Sequence, residues 1–347
     1  MTKQKISTKR ILLRTQFYIV ALFFVFVFAI LLFTFYSPNY YEHESPYRVD
    51  IKRGESLTNV IDTLYEHKII PSKFKMKIIS FVYGAEKNVK AGRYDIPNGL
   101  SYVKLVELLV NGSPTEQVSV TLPEGIWQSE IAQILKEKLN IDSSRVIGLS
   151  TSRSFINSLD LNTKSLEGYL LPETYYFYPN STAEEILRKL KLQMDKVFNP
   201  EIEKRMAELK MTKHQILTLA SIIDGESNLV SEFKTISGVY HNRLKIGMAL
   251  QADPTVQYLI RDKHKNKILK KDLSIDSKFN TYKYTGFPPA PISNPGKDAI
   301  MAALYPEKHN YLFFVANGSG GHSFTHSSYE HEQNVMKYRQ WRKTQNQ

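Results

Sequence analysis

Residues 211–228 read MTKHQILTLASIIDGESN, and the reading of this stretch sets the fold. Thr212 followed by Gln215 is a capping box, in which each side chain serves a backbone N–H left without a partner at a helix start. Ile216, Leu219, Ala220 and Ile223 then fall at i, i+3, i+4 and i+7, one face of a helix. The spacing predicts a helix over 212–226, and the next position on its apolar stripe is Glu226. Stripping water from a carboxylate raises its pKa from the free value of about 4.3. An acid that donates a proton near neutral pH needs roughly 6–7, and burial beside aliphatic side chains is a means to that end. Glu226 is therefore a candidate general acid. Gly225 leaves two readings open: close approach of a ligand to the backbone, or a helix break that frees Glu226 to solvent.

The segments around this helix share a composition. LEGYLLPETYYF (166–177) lies upstream; LQADPTVQYL (250–259), FNTYKYTGFPP (279–289), ISNPG (292–296) and NGSGGHSF (317–324) lie downstream. Polar and aromatic residues set in turn chemistry suit a carbohydrate cleft, where tyrosine faces meet sugar rings and Asn, Gln and Asp bind hydroxyls. Helices are expected at 128–139, 182–197, 200–209, 230–245, 296–304 and 328–344, and strands at 118–122, 174–178 and 311–316. Strands that do not alternate regularly with helices indicate an α+β class.

The chain has 347 residues, 42% of them hydrophobic, no cysteine and a formal charge of +12. Zero cysteine excludes disulfide scaffolds, thiolate zinc sites, iron–sulfur clusters and a cysteine nucleophile. Lys3, Lys5, Lys9, Arg10 and Arg14 lie in the first sixteen residues with no acid among them, and the remainder carries a milder +7. From Phe17 to Tyr36 no residue is charged. Twenty helical residues span about 30 Å, the thickness of a bilayer's hydrocarbon core. The run ends in Phe33, Phe35 and Tyr36, too bulky for a signal-peptidase site. The reading is a cytoplasmic basic segment (1–16), a single-pass transmembrane signal anchor (17–36), a tether (37–46) and an extracytoplasmic body, oriented by the positive charges. An exported protein without disulfides suggests a bacterial cytoplasmic membrane. The basic N-terminus then answers to anionic lipid, and no nucleic-acid module or phosphate-binding Gly-rich loop is present.

YRVDIKRGESLTNVIDTLYEHKII begins at Tyr47, with strand alternation, a turn at Gly54, a cap at Ser56 and an apolar helix face at Leu57, Val60, Ile61 and Leu64. The pattern returns with Gly125, Ile131 and Leu135 in VSVTLPEGIWQSEIAQILKEKL. Between the copies lie a short strand around Arg93–Ile96 and a helix from Ser101 to Val110, closed by Asn111–Gly112. The glycine, hydroxyl cap and apolar face of 47–117 resemble the LysM-like module of bacterial wall proteins; a generic small α/β module fits the same features.

ASIIDGES (220–227), HNRLKIGMALQADPTV (241–256), FNTYKYTGFPPAPISNPG (279–296) and GGHSF (320–324), in this order after an apolar N-terminus, closely resemble the YceG-like endolytic murein transglycosylases. The resemblance covers nearly the whole chain and makes 118–347 the catalytic domain. It implies a lyase that cuts nascent peptidoglycan strands near the cytoplasmic membrane, with synthases of the elongation or division machinery as partners. It also implies that Glu226, the second of two acidic residues one apart, is catalytic. Asp224 stands at the first acidic position, where glutamate is usual. Asp253, Asn280 and Tyr282 are expected in the cleft, with Gln251 and Glu173 behind them. Each also has a structural reading: Asp253 as a cap before Pro254, Glu173 as a turn anchor. His322 faces the cleft or bonds backbone at a strand end. No cofactor or metal is expected; His322, His326 and His331 lack a helical His-Glu-x-x-His context. A two-carboxylate glycoside hydrolase and a non-catalytic wall-binding division scaffold are the rival readings.

Overall fold

In the computed structural model all residues are described except 1, 53, 113–114, 116, 180, 262–267 and 346–347, with backbone only for 2–15 and 87. The chain divides into two units, Met1–Gln117 and Val118–Gln347. Among the described residues the strands form three two-stranded antiparallel sheets between numerous helices, an α+β fold.

The first unit begins with α1 (Thr2–Tyr36), whose part Gln16–Tyr36 is long and apolar enough to cross a membrane and is not buried. Residues 37–46, expected as a tether, are instead folded onto the module that follows. The cause is Tyr41, which is buried and donates its hydroxyl to the Ile96 carbonyl at 2.5 Å. Asn39 binds Leu100 through backbone and side chain alike. Strand β1 (Tyr47–Ile51) leads to α2 (Leu57–Glu66) and α3 (Lys73–Val82), and β2 (Gly92–Ile96) returns antiparallel to β1. Helix α4 (Tyr102–Asn111) closes the unit. Val60, Ile61, Leu64, Met76, Leu105 and Leu109 form its core.

In the second unit β3 (Val118–Thr121) enters α5 (Gln128–Leu139), α6 (Ser143–Thr151) and α7 (Arg153–Asn157), and β4 (Thr174–Phe177) pairs back on β3. Helix α8 (Ala183–Val197) completes one core, with Ile131, Leu135, Ile156, Ile186 and Leu190 inside. Helix α9 (Pro200–Leu209) precedes α10 (Lys213–Glu226), whose Thr212/Gln215 capping box is present. Around α10 pack α11 (Phe233–Lys245), α12 (Asp253–Ile260) and α13 (Lys297–Leu304). Every residue from Ile216 to Ile223 is buried, so α10 is enclosed on all sides rather than on one face. Its polar members satisfy themselves: Thr218 donates to the His214 carbonyl, and Ser221 donates to the Thr218 carbonyl while accepting from the Ile292 N–H. The hairpin β5 (Phe313–Ala316) and β6 (His322–Thr325), followed by α14 (Ser328–Gln345), lies against this second core through Phe314 and Phe324.

The seam between the two cores is held by Asn294, which is fully buried. Its Oδ1 accepts from the N–H groups of Gly168 (2.9 Å) and Leu170 (3.1 Å). Its Nδ2 donates to the Ile126 carbonyl and to Oε1 of Glu167. Gly168 has φ +86°, and a Cβ there would lie 2.2 Å from Pro291. Burial pushes the Glu167 carboxyl up to about 8, against the hydrogen bonds from Gln128 and Asn294 that pull it down. Replacing Asn294 by Ala leaves two buried N–H groups without an acceptor, at ~1–3 kcal/mol each. The expected loss is about 3 kcal/mol, read as a lower urea midpoint for the second unit.

Candidate active site

Helix α10 runs unbroken through Gly225 to Glu226, its last residue. Gly225 does not break the helix, and it lines the cleft beside Glu226. A Cβ there would lie 2.7 Å from Pro254 in the first turn of α12, so the glycine lets α12 approach and brings Asp253 beside the helix end. Asp224 is turned to the other side: it accepts from the N–H groups of Gly296, where α13 begins, and Gly125. It fastens the end of α10 to two other segments.

Glu226 opens on a cleft of about 540 Å3. Its Oε1 accepts a hydrogen bond from the hydroxyl of Tyr240, at 2.5 Å. Tyr240 is fully buried on α11, and loss of solvent together with the neighbouring carboxyl holds its phenol well above the usual range, so it remains a donor. Arg243, one turn further, donates to the carbonyls of Leu312 (2.7 Å) and Leu250 (2.5 Å). Burial pushes the Glu226 carboxyl up to about 8; Tyr240 and Arg243 pull it down, and Asp253 pushes it up. At neutral pH the group is mostly protonated. With Oε1 receiving the Tyr240 bond, its proton belongs on Oε2.

Gln251, Asp253, Tyr282 and His322 line the same cleft. Asp253 starts α12 but does not cap it; its Oδ1 accepts from the Tyr282 hydroxyl at 2.5 Å. Gln251 sits at φ +49°, its N–H bound to the Thr281 carbonyl. His322 carries Nδ1 2.6 Å from Glu232, and its backbone N–H donates to the same carboxylate. Burial alone would raise Glu232, but these bonds outweigh it and hold the carboxyl below its usual range. Gly321 makes room for that carboxylate, since a Cβ there would lie 2.5 Å from its Oε1.

Two expected residues lie elsewhere. Asn280 is fully buried and spends its amide on the turn itself: Nδ2 donates to Leu273 and Ile275 carbonyls, and Oδ1 accepts from the Tyr282 N–H. It shapes the loop that presents Tyr282. Glu173 forms an exposed ion pair with Lys297 and does not line the cleft. Conversely, Arg243, Gln257, Phe313, Phe314 and Tyr338 line the cleft and Tyr240 stands behind it, none of them an expected site residue; His331, considered only for a metal, lines it too. Tyr240 and Arg243 stand at i, i+3 in one helix, a signal that says they share a face but not what they meet. Among the described residues no group of His, Asp or Glu side chains is placed to hold a metal ion.

Glu226 thus stands, partly buried and with its carboxyl raised by enclosure, at the floor of a polar and aromatic cleft on an α+β scaffold. Comparison with known proteins carries this further. The model of the YceG-like family matches residues 49–337. An endolytic murein transglycosylase of Bacillus subtilis is 34% identical over 308 residues, covering 84% of each chain. One from Streptococcus pneumoniae serotype 2 is 28% identical over 323 residues, covering 84% of this chain and 58% of its own length. The crystal structure of a YceG-like protein from Listeria monocytogenes is 32% identical with a TM-score of 0.58, covering 83% of this chain and 98% of that one. The chain belongs to the YceG-like family.

Holding Glu226 protonated to about pH 8 has a cost in stability. The unfolded carboxyl ionises near 4.5, so between there and about 8 the unfolded state binds fewer protons and stability falls as pH rises. Glu226→Gln keeps an acceptor for Tyr240 and never ionises. It is expected to match the parent near pH 4 and to exceed it by about 4 kcal/mol at pH 8, measured by urea unfolding across pH.

Proposed function

We propose that the chain is an endolytic lytic transglycosylase of peptidoglycan, a lyase anchored by α1 in a bacterial cytoplasmic membrane with its body outside. The observation that carries this is the protonated Glu226 held by Tyr240 at the cleft floor, in a chain of the YceG-like family. Glycan strands are the substrate, and synthases that polymerise them are the partners.

Glu226 donates its proton to the oxygen that links C1 of N-acetylmuramic acid to the next N-acetylglucosamine, and the C1–O bond breaks. Positive charge develops on C1 and the ring oxygen. The Glu226 carboxylate, steadied by the Tyr240 hydroxyl, then takes the proton from the C6 hydroxyl of the same muramoyl residue. That oxygen attacks C1 and closes a 1,6-anhydro ring. No water is consumed, and Glu226 regains its proton. A nucleophile within the substrate supplies the proximity that a second carboxylate would otherwise provide by activating water. Asp253 with Tyr282, Gln251 and the Glu232-oriented His322 bind sugar hydroxyls and acetamido groups along the cleft. The βααβ order of the first unit, with Gly54 at φ +80° and Ser56 capping α2, supports reading residues 47–117 as a LysM-like glycan-binding module.

Mass spectrometry of digested peptidoglycan tests the chemistry. Wild type is expected to yield internal fragments ending in 1,6-anhydromuramic acid, and Glu226→Gln to lower the rate about 10³-fold while remaining folded. Reducing ends instead would assign hydrolysis, with Asp253 as second carboxylate; undiminished function of Glu226→Gln would assign a scaffold.

The same group sets the pH profile. The protonated form starts the reaction, so kcat/KM is expected to fall above about pH 8. Tyr240→Phe removes a bond that favours the carboxylate. Its alkaline limb is expected to move upward while the plateau drops at least tenfold, because the base step loses its support.

A further inference from the structure

Helix α3 reads KFKMKIISFV. Met76, Ile79 and Ser80 face the core of the first unit, which leaves Phe74, Ile78, Phe81 and Val82 on the opposite side. Phe74 and Phe81 are 72% and 76% exposed, a degree far from ordinary for phenylalanine in a folded module. They border a shallow apolar groove with Leu57 and Ile61 of α2. Lys75 and Lys77 flank the stripe, whereas Lys73 is paired with Asp62 and Glu86 is the acid at the groove's end. An exposed apolar strip bordered by lysines is the composition of a helix that lies in a membrane interface.

The position of this strip within its unit names the occupant. The last residue of α1, Tyr36, shares a hydroxyl contact with Tyr83, the residue that ends α3. Phe35 packs edge-on against Tyr102 of α4, with ring centroids 6.4 Å apart. The end of the apolar helix is therefore fixed to the same end of α3 that carries Phe81 and Val82. Tyr36 and Tyr40, both exposed, supply the aromatic residues that mark a membrane–water boundary.

We propose that the exposed face of α3 docks on the outer leaflet of the membrane that α1 spans, with Phe74, Ile78, Phe81 and Val82 in the interface and Lys75 and Lys77 on anionic headgroups. This rests on the reading of α1 as an anchor. Docking holds the first unit against the lipid instead of leaving it to swing on a linker, in keeping with the folded segment 37–46.

The cysteine-free chain allows single labels. The full-length protein, carrying a bimane on Val82→Cys or on Phe26→Cys, is reconstituted into vesicles of phosphatidylethanolamine and phosphatidylglycerol with or without doxyl-labelled lipid. At least twofold quenching is expected at 82 by shallow doxyl groups and at 26 by deep ones. Phe74→Ser with Phe81→Ser should abolish the quenching at 82 and leave that at 26. Lys75→Gln with Lys77→Gln should reduce it about twofold. Quenching at 26 but not at 82 overturns the docking and leaves the anchor standing; quenching at neither overturns both. A shift at 82 that follows the protein-to-lipid ratio without doxyl quenching assigns the face to a second copy, which also overturns the proposal.

Discussion

The core around the cleft is arranged on a helix whose middle water does not reach. Because α10 is buried from Ile216 to Ile223, the residue that ends it emerges at one fixed place and leaves the core without entering bulk solvent. Its carboxyl cannot shed its proton cheaply, and its backbone cannot fray. Neighbouring elements reinforce both conditions. Pro254 sits where a Cβ on Gly225 would be, Asp224 ties the helix end to Gly296 and Gly125, and Tyr240 covers one carboxyl oxygen. A surface helix carrying the same sequence would offer an ordinary glutamate.

The polar residues in this unit divide into two kinds by what they touch. Asn294 and Asn280 are both fully buried amides whose bonds go to backbone and, for Asn294, to the Glu167 carboxyl as well: one joins two cores, the other shapes a loop. Arg243 acts in the same way, binding the carbonyl before β5 and the one before Gln251, so that two walls of the cleft are referred to α11. Glu232 fixes both the backbone and the ring of His322, which places a hairpin strand as well as a side chain. The geometry of the cleft thus depends on groups that are mostly out of reach of any substrate.

That division explains how far the sequence could be read. Helix α10 was legible from its capping box and stripe, and Glu226 from its place on the stripe. The all-round burial was not, because Thr218 and Ser221 read as polar while their hydroxyls turn back onto their own helix. Asp253, Tyr282, Gln251 and His322 were legible as polar and aromatic residues in turn-rich segments, and Asn280 and Glu173 carry the same signature. Nothing local distinguishes an amide that faces solvent from one that has bonded every atom to its own loop. Tyr240 and Arg243 draw their meaning from partners distant in sequence, such as Leu312, and no periodicity encodes these. Helix α3 hid for another reason: Lys73, Lys75 and Lys77 alternate with apolar residues at the period of a strand, and packing of Met76, Ile79 and Ser80 overrides it.

A residue asked to give a proton and then take another back needs a pKa near the ambient pH, since a strong acid would not regain the proton and a weak one would not release it. Enclosure at the end of α10 raises the Glu226 carboxyl. Tyr240 opposes it with a hydrogen bond that favours the charged form, and Arg243 adds its positive charge at a distance. Asp253 pushes the other way, but its own oxygen is engaged by Tyr282. The balance settles at about 8. Tyr240 and Arg243 thereby moderate at one carboxyl what paired-carboxylate sites achieve by setting the pKa values of two groups apart.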